Sequence, residues 1–124
     1  MSNKAIGNGF ESVIIGYLSK KGYWVHLLKD NQNGQPFDII ALGGDKVLCL
    51  DAKHCETKKF PLSNVRENQE LAFDYISSIY NGNSEIGFVI GSDKDNLHLL
   101  TFDEYKKLKA NKKKSVVIEE LPLL

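Results

Sequence analysis

The sequence has no net charge, only two cysteines, and no apolar run long enough to cross a membrane. Its 16 basic residues balance its 16 acidic ones, so a DNA-binding surface would need segregated charge, not an excess. A zinc site would need more Cys and His at short spacing, so we expect Cys49 and Cys55 to be free thiols in a reducing compartment. The first ten residues lack an apolar signal segment, which predicts a cytoplasmic protein that does not contact membranes.

What is present is a chain of 124 residues with an ordinary share of apolar and charged residues. The length predicts one domain over residues 1–124, and no repeat or linker divides it. Apolar residues at steps of three and four predict a helix over 4–21 that begins near residue 8. Strands over 23–28, 37–42 and 46–52 form a predicted meander, with a tight antiparallel turn joining the last two.

The second half of the chain predicts a helix over 63–80, strands over 86–90 and 97–102, a short helix over 103–109 and a last strand over 115–119. On the helix at 63–80, the residues expected on the inner face are Val65, Leu71, Ala72, Tyr75, Ile76 and Ile79. This order predicts the α/β class, with a mixed sheet flanked by helices.

Two aspartates stand at the ends of the predicted hairpin strands. Asp38 opens one strand and Asp51 closes its antiparallel neighbour, so both carboxylates fall at the same end of the sheet. Like charges held close need a cation between them, and Mg²⁺ is bound by one or two carboxylates plus water. Lys53 points to the same face as Asp51, and the carbonyl of Ala52 can also reach a metal. One such aspartate alone is more often a turn residue or a surface charge, but the joint pattern indicates a metal site.

A third carboxylate, Glu11, lies in the first predicted helix. It follows Phe10 and precedes Val13, so it stands beside the apolar face, an unusual position for a free glutamate. We expect it to reach the metal from above the sheet.

This combination resembles the PD-(D/E)XK nuclease superfamily, which has the restriction-endonuclease-like fold. The two motif halves are Pro36-Phe37-Asp38 and Asp51-Ala52-Lys53. The segment 60–62, followed by Asn-Gln at 68–69, is similar to RecU-type Holliday junction resolvases, and the approach over 33–38 is similar to phage-borne and archaeal-type junction resolvases. The resemblance covers residues 5–80 and continues more weakly through the strands over 86–102.

The resemblance implies a metal-dependent endodeoxyribonuclease that uses Mg²⁺, with Mn²⁺ able to replace it. Lys53 matches the lysine that orients or deprotonates the attacking water or stabilises charge in the transition state. Gln69 would position water or phosphate, unless it is an ordinary exposed helix glutamine. By this resemblance the catalytic residues are Glu11, Asp38, Asp51, Lys53 and Gln69. The metal ligands among them are the three carboxylates, joined by the carbonyl of Ala52.

The resemblance also implies a partner and an assembly. The substrate would be branched DNA, foremost a four-way junction, cut symmetrically by a homodimer and without an organic cofactor. The residues expected at the DNA are Lys29, Asn33, Gly34, Lys58, Lys59 and Arg66.

Three features depart from the family pattern. Asp51 stands where a glutamate is usual, Pro36 precedes Asp38 by two residues, and the segment 25–38 has no room for the stalk of longer RecU proteins. The alternatives are a nuclease of the same fold acting on flaps, ends or nicked duplex, a catalytically silent DNA-binding module, or a structural protein whose aspartates are turn residues.

Overall fold

A five-stranded mixed sheet organises the fold, in the strand order β1-β2-β3-β5-β6. The computed structural model describes residues 3–28, 37–80 and 82–124, with side chains from residue 9 onward in the first range. The sheet contains β1 (Trp24–Leu27), β2 (Ile39–Gly43), β3 (Lys46–His54), β5 (Asn83–Gly91) and β6 (Leu97–Thr101). The other elements are α1 (Asn3–Lys20), β4 (Lys59–Pro61), α2 (Glu67–Ile79), α3 (Phe102–Ala110) and β7 (Ser115–Val117). The predicted α/β class is confirmed.

The predicted hairpin is the centre of this sheet. β2 and β3 run antiparallel, with Ile39 opposite Leu50. The turn between them needs a left-handed residue, and Gly44 supplies it with a φ of 58°. β3 continues beside β5 in parallel register, so the apolar strand β5 lies between β3 and β6 as its composition suggests.

The sheet has a different cover on each face. One face carries α1, and the buried residues there are Phe10, Ile14, Leu18, Ile39, Ala41, Leu48, Leu50, Val89, Leu97 and Leu99. The other face carries α2 and α3 over an aromatic cluster in which the ring of Phe73 contacts those of Phe37, Phe88 and Phe102. Because side chains alternate along each strand, the register decides which residues belong to which face.

Several details differ from the sequence predictions. α1 begins at Asn3, so its glycines are tolerated within a helix that packs on the sheet. β4 and β7 pair with each other, a long-range contact that the local pattern did not predict. The expected inner face of α2 was wrong for Leu71, Tyr75 and Ile79, which are exposed, and it omitted the fully buried Phe73. It was right for Val65, which is buried, and for Ile76, which packs against the core.

The two cysteines lie at different depths in the fold. Cys49 is buried, Cys55 is half-buried, and both are free thiols, as predicted. In the parts of the chain that the structure describes, none of the helices combines the length and apolar character that a membrane-spanning segment needs.

Candidate active site

Asp38 and Asp51 meet where β2 begins and β3 nears its end. The backbone of Asp38 donates a hydrogen bond to the carbonyl of Leu50 at 3.1 Å, which extends the antiparallel ladder by one residue. The side chain of Asp38 then reaches across to β3, where its Oδ2 accepts a hydrogen bond from the Ala52 N–H at 2.9 Å. The two aspartates therefore lie side by side on the face that carries α2, as the hairpin predicted.

Lys53 completes a compact charged group on the same face. Its ammonium lies 3.0 Å from Oδ2 of Asp51, and its side chain is 14% exposed. The same ammonium donates a hydrogen bond to Oε1 of Gln69 at 3.0 Å, which fixes where the positive charge stands. The sequence prediction that Lys53 shares the site of Asp51 agrees with this placement.

Gln69 is a buried residue and not an exposed helix glutamine, since only 1% of it is accessible. Its Oε1 also accepts the backbone N–H of Arg66 at 3.1 Å, at the start of α2. An arginine side chain has no acceptor, so this is the glutamine half of a capping box alone. One amide oxygen thus links the start of α2 to the lysine of the site.

Burial dominates the electrostatics of Asp51. The residue is 3% exposed. Removal from water raises its pKa from 3.8 to about 7, with Lys53 opposing this rise and the neighbouring Asp38 carboxylate adding to it. The carboxyl group is therefore held in surroundings that disfavour its charged form, a condition typical of functional sites.

The surroundings of the buried Oδ2 of Asp51 indicate what would relieve this cost. The Lys53 ammonium lies 3.0 Å from this oxygen, and no other group in the described part of the chain donates a hydrogen bond to it. A second carboxylate, on Asp38, lies beside it, and the carbonyl of Ala52 belongs to the same strand end. Two carboxylates and a carbonyl form the oxygen set that hard divalent cations prefer. The residues present fit such an ion.

Glu11 is not gathered into this group. It is half-buried on α1, and α1 covers the sheet face opposite the two aspartates. Within the described residues, no three His, Cys, Asp or Glu side chains form a group that could hold a metal. Asp38 and Asp51 are therefore the two carboxylates that the hairpin brings together, and the ligand role of Glu11 stays a prediction.

The residues predicted to contact DNA are only partly described. Lys58 and Lys59 follow the site strand and are exposed, and Arg66 is exposed at the start of α2. Lys29, Asn33 and Gly34 lie outside the described residues. The three described cations are therefore available to contact the phosphates of a nucleic acid.

Comparison with known proteins decides the family. The model of the family "Recombination protein U" (RecU) matches residues 31–122, which is well over half of the chain. The chain belongs to the RecU family. This is a family of Holliday junction resolvases, of the PD-(D/E)XK nuclease type, so membership implies endonuclease activity on branched DNA. A search among curated proteins finds no match to this RecU-family chain.

The fold agrees with the family. The structure is similar to that of Hjc from Archaeoglobus fulgidus, a Holliday junction resolvase from an archaeal hyperthermophile. The TM-score is 0.69, and the match covers 94% of this RecU-family chain and 94% of the Hjc chain. Sequence identity is 15%, so this likeness establishes the shared fold and not a shared substrate.

Proposed function

We propose that this protein is a divalent-metal-dependent endonuclease that cuts four-way DNA junctions symmetrically as a homodimer. The observation that carries the proposal is the convergence of Asp38, Asp51 and Lys53 at one end of the β2–β3 hairpin. A buried carboxylate of raised pKa, a second carboxylate beside it and a lysine fixed by a glutamine form a site suited to hydrolysis of a phosphodiester.

In this proposal Asp38, Asp51 and the Ala52 carbonyl hold Mg²⁺ or Mn²⁺, and Glu11 acts as a further ligand directly or through water. When bound, the ion would lower the pKa of a coordinated water and offset charge on the phosphodiester. Asp51 must be ionised to serve as a ligand, so its raised pKa couples occupancy of the site to pH.

The roles of the lysine and glutamine follow from their contacts. Lys53 stands 3.0 Å from Asp51, so its ammonium is placed to orient the attacking water and to stabilise negative charge on the reacting phosphate. Gln69 positions Lys53 by accepting the 3.0 Å hydrogen bond from its ammonium, and the same Oε1 accepts the Arg66 N–H at the start of α2. Since Gln69 is buried, it acts through the lysine and not as an open contact for DNA.

Exposed cations would hold the DNA backbone beside the site. Lys58, Lys59 and Arg66 are exposed next to the strand and the helix that carry the catalytic group. Contacts of this kind position a duplex arm without reading its sequence, which suits recognition of a junction by shape. Lys29, Asn33 and Gly34 extend the proposed contact surface in the segment before β2.

A homodimer is proposed because two symmetric cuts need two active sites related by a two-fold axis. The contact is proposed on α2, which carries a row of exposed apolar side chains. Leu71, Tyr75 and Ile79, spaced by four residues, are 63%, 66% and 59% exposed. A surface helix normally turns such a row toward a core, so this stripe is a suitable contact for a second copy.

The test is cleavage of a four-way junction whose arms carry different labels, in Mg²⁺ and in Mn²⁺, beside a flap, a nicked duplex and an intact duplex. The proposal expects paired symmetric cuts in the junction, and no cuts from Asp51→Asn or Lys53→Ala. Asp95→Asn removes an exposed carboxylate and serves as the matched control. If only flaps or ends are cut, the nuclease chemistry is supported and the four-way junction is the wrong substrate. Binding of junctions without cutting in either metal would indicate a silent DNA-binding module.

A further inference from the structure

Two aromatic rings lie exposed on β1, at the edge of the main sheet. The rings of Trp24 and His26 stack with centroids 5.8 Å apart and an angle of 4° between their planes. Trp24 is 60% exposed and His26 is also exposed. An exposed tryptophan side chain contributes little of the stabilisation that its burial would give. A flat aromatic pair at the surface therefore indicates a binding surface for a partner.

The register of the sheet places this pair on the same face as the active site. Trp24 lies opposite Leu42, His26 lies opposite Ile40, and these residues alternate with the buried Ala41, which faces α1. Asp38 precedes Ile40 by two residues and therefore shares its face. α1 covers the opposite face of β1 and β2, and the exposure of Leu42, at 45%, shows that no described element covers the face with the rings.

The spacing fits a DNA strand that runs through the site. Strands rise about 3.3 Å per residue and lie about 4.8 Å apart, which places the Cα of His26 about 8 Å and that of Trp24 about 14 Å from the Cα of Asp38. Successive nucleotides of one strand are about 3.4 Å apart along a duplex. The ring pair thus stands two to four nucleotides from a phosphate held at Asp38.

We propose that Trp24 and His26 form a platform on which a nucleobase at the branch point stacks while the nearby phosphodiester is held at Asp38 and Asp51. The inference rests on the proposed function and names how that site would recognise a branch. A continuous duplex keeps its bases covered, whereas a branch point interrupts stacking and leaves base faces available. Aromatic rings bind such faces whatever the base, which suits recognition by shape.

A second copy of the chain is the competing occupant of this surface, and it fits less well. A subunit seated on Trp24 and His26 would stand within about 8 Å of Asp38 and would restrict access of DNA to the aspartates. The face also carries a polar imidazole, whereas the α2 stripe consists of the exposed side chains Leu71, Tyr75 and Ile79.

The test uses the full chain with Asp51→Asn, so that DNA is bound but not cut. Trp24 is the only tryptophan in the sequence, so its fluorescence reports on this surface alone. We expect quenching that saturates in step with binding of a labelled four-way junction and that is weaker with intact duplex. In the same background, Trp24→Ala should weaken junction binding about 10-fold, and His26→Ala should weaken it less. Leu27→Ala, on the same strand but the opposite face, is the matched control and should bind normally.

The outcomes separate this inference from the proposed function. If the unmodified protein cuts junctions but Trp24→Ala binds and cuts them equally well, the platform is wrong and the nuclease assignment stands. If Trp24→Ala changes the molar mass measured by light scattering, the surface is a subunit contact and the platform is again wrong. If the unmodified protein neither cuts nor binds branched DNA, the proposed function fails and the platform with it.

Discussion

Replacing Asp51 by asparagine should stabilise the metal-free protein while it abolishes cleavage. Burial raises the pKa of this carboxyl from 3.8 to about 7, against the opposing effect of Lys53 and with a further rise from Asp38. A raised pKa means that the folded state holds its proton more tightly than the unfolded state does. The ionised carboxylate therefore destabilises the folded state. An uncharged amide of the same shape removes this destabilisation.

The size of the effect follows from the pKa. Below pH 4 both states are protonated and the carboxyl has no effect on stability. As the pH rises through the interval from 3.8 to 7, the unfolded state releases its proton first and stability falls. Above pH 7 the full loss is present, about 4 kcal/mol at 1.36 kcal/mol per pKa unit. The value of about 7 already includes the opposing effect of Lys53, so we expect Asp51→Asn to gain about 4 kcal/mol at pH 8 and about 1 kcal/mol at pH 4.5.

Urea unfolding followed by circular dichroism, at both pH values and with a chelator present, measures this gain. Asp95→Asn removes an exposed carboxylate and should change the free energy of unfolding by no more than about 0.5 kcal/mol. Saturating Mg²⁺ should stabilise the unmodified protein more than Asp51→Asn, because a ligand that binds only the folded state adds to stability. A variant less stable than the parent at pH 8, or a gain that is the same at pH 4.5, would refute the reasoning.

Three further changes test the surroundings of the site. Gln69→Ala should lower the cleavage rate about 10-fold with little change in DNA affinity, because it removes the acceptor that holds the lysine ammonium. Gln69→Glu keeps an acceptor, so its cleavage rate should fall less. Single-turnover kinetics separate the cleavage rate from DNA binding. Phe73→Ala removes a fully buried ring and should lower the free energy of unfolding by about 3–5 kcal/mol in urea titrations. Tyr75→Glu should turn the homodimer into a monomer by light scattering, whereas Ser77→Glu, on the same helix but off the stripe, should not; a Tyr75→Glu dimer would exclude α2 as the subunit contact.

The core of the candidate site could be predicted from the sequence because it is local. Asp38, Asp51 and Lys53 lie on one hairpin, where alternation and a tight turn fix which side chains share a face. The RecU family match, over residues 31–122, includes these three residues and agrees with the resemblance that they carry.

What the sequence did not predict depends on contacts between distant segments. The helix α2 has apolar residues around much of its circumference, so periodicity alone could not choose between Phe73 and the stripe at Leu71 and Tyr75. The burial of Gln69 depends on where α2 meets β3, and the raised pKa of Asp51 depends on complete removal from water. The exposed pair of Trp24 and His26 also could not be predicted, because two aromatic rings at alternate positions are common in buried strands as well.

The sheet itself holds the two aspartates of the candidate site in place. Asp51 projects from a central strand paired on both sides, and Asp38 is tied to that strand by the Ala52 N–H. Both carboxylates are therefore held by the sheet itself and not by flexible loops, which keeps their separation fixed. Lys53 is held from the other side, by a glutamine that caps α2 and so depends on the aromatic core beneath that helix. A substitution in that aromatic core should therefore displace the lysine ammonium first. The two aspartates should keep their positions on the hairpin.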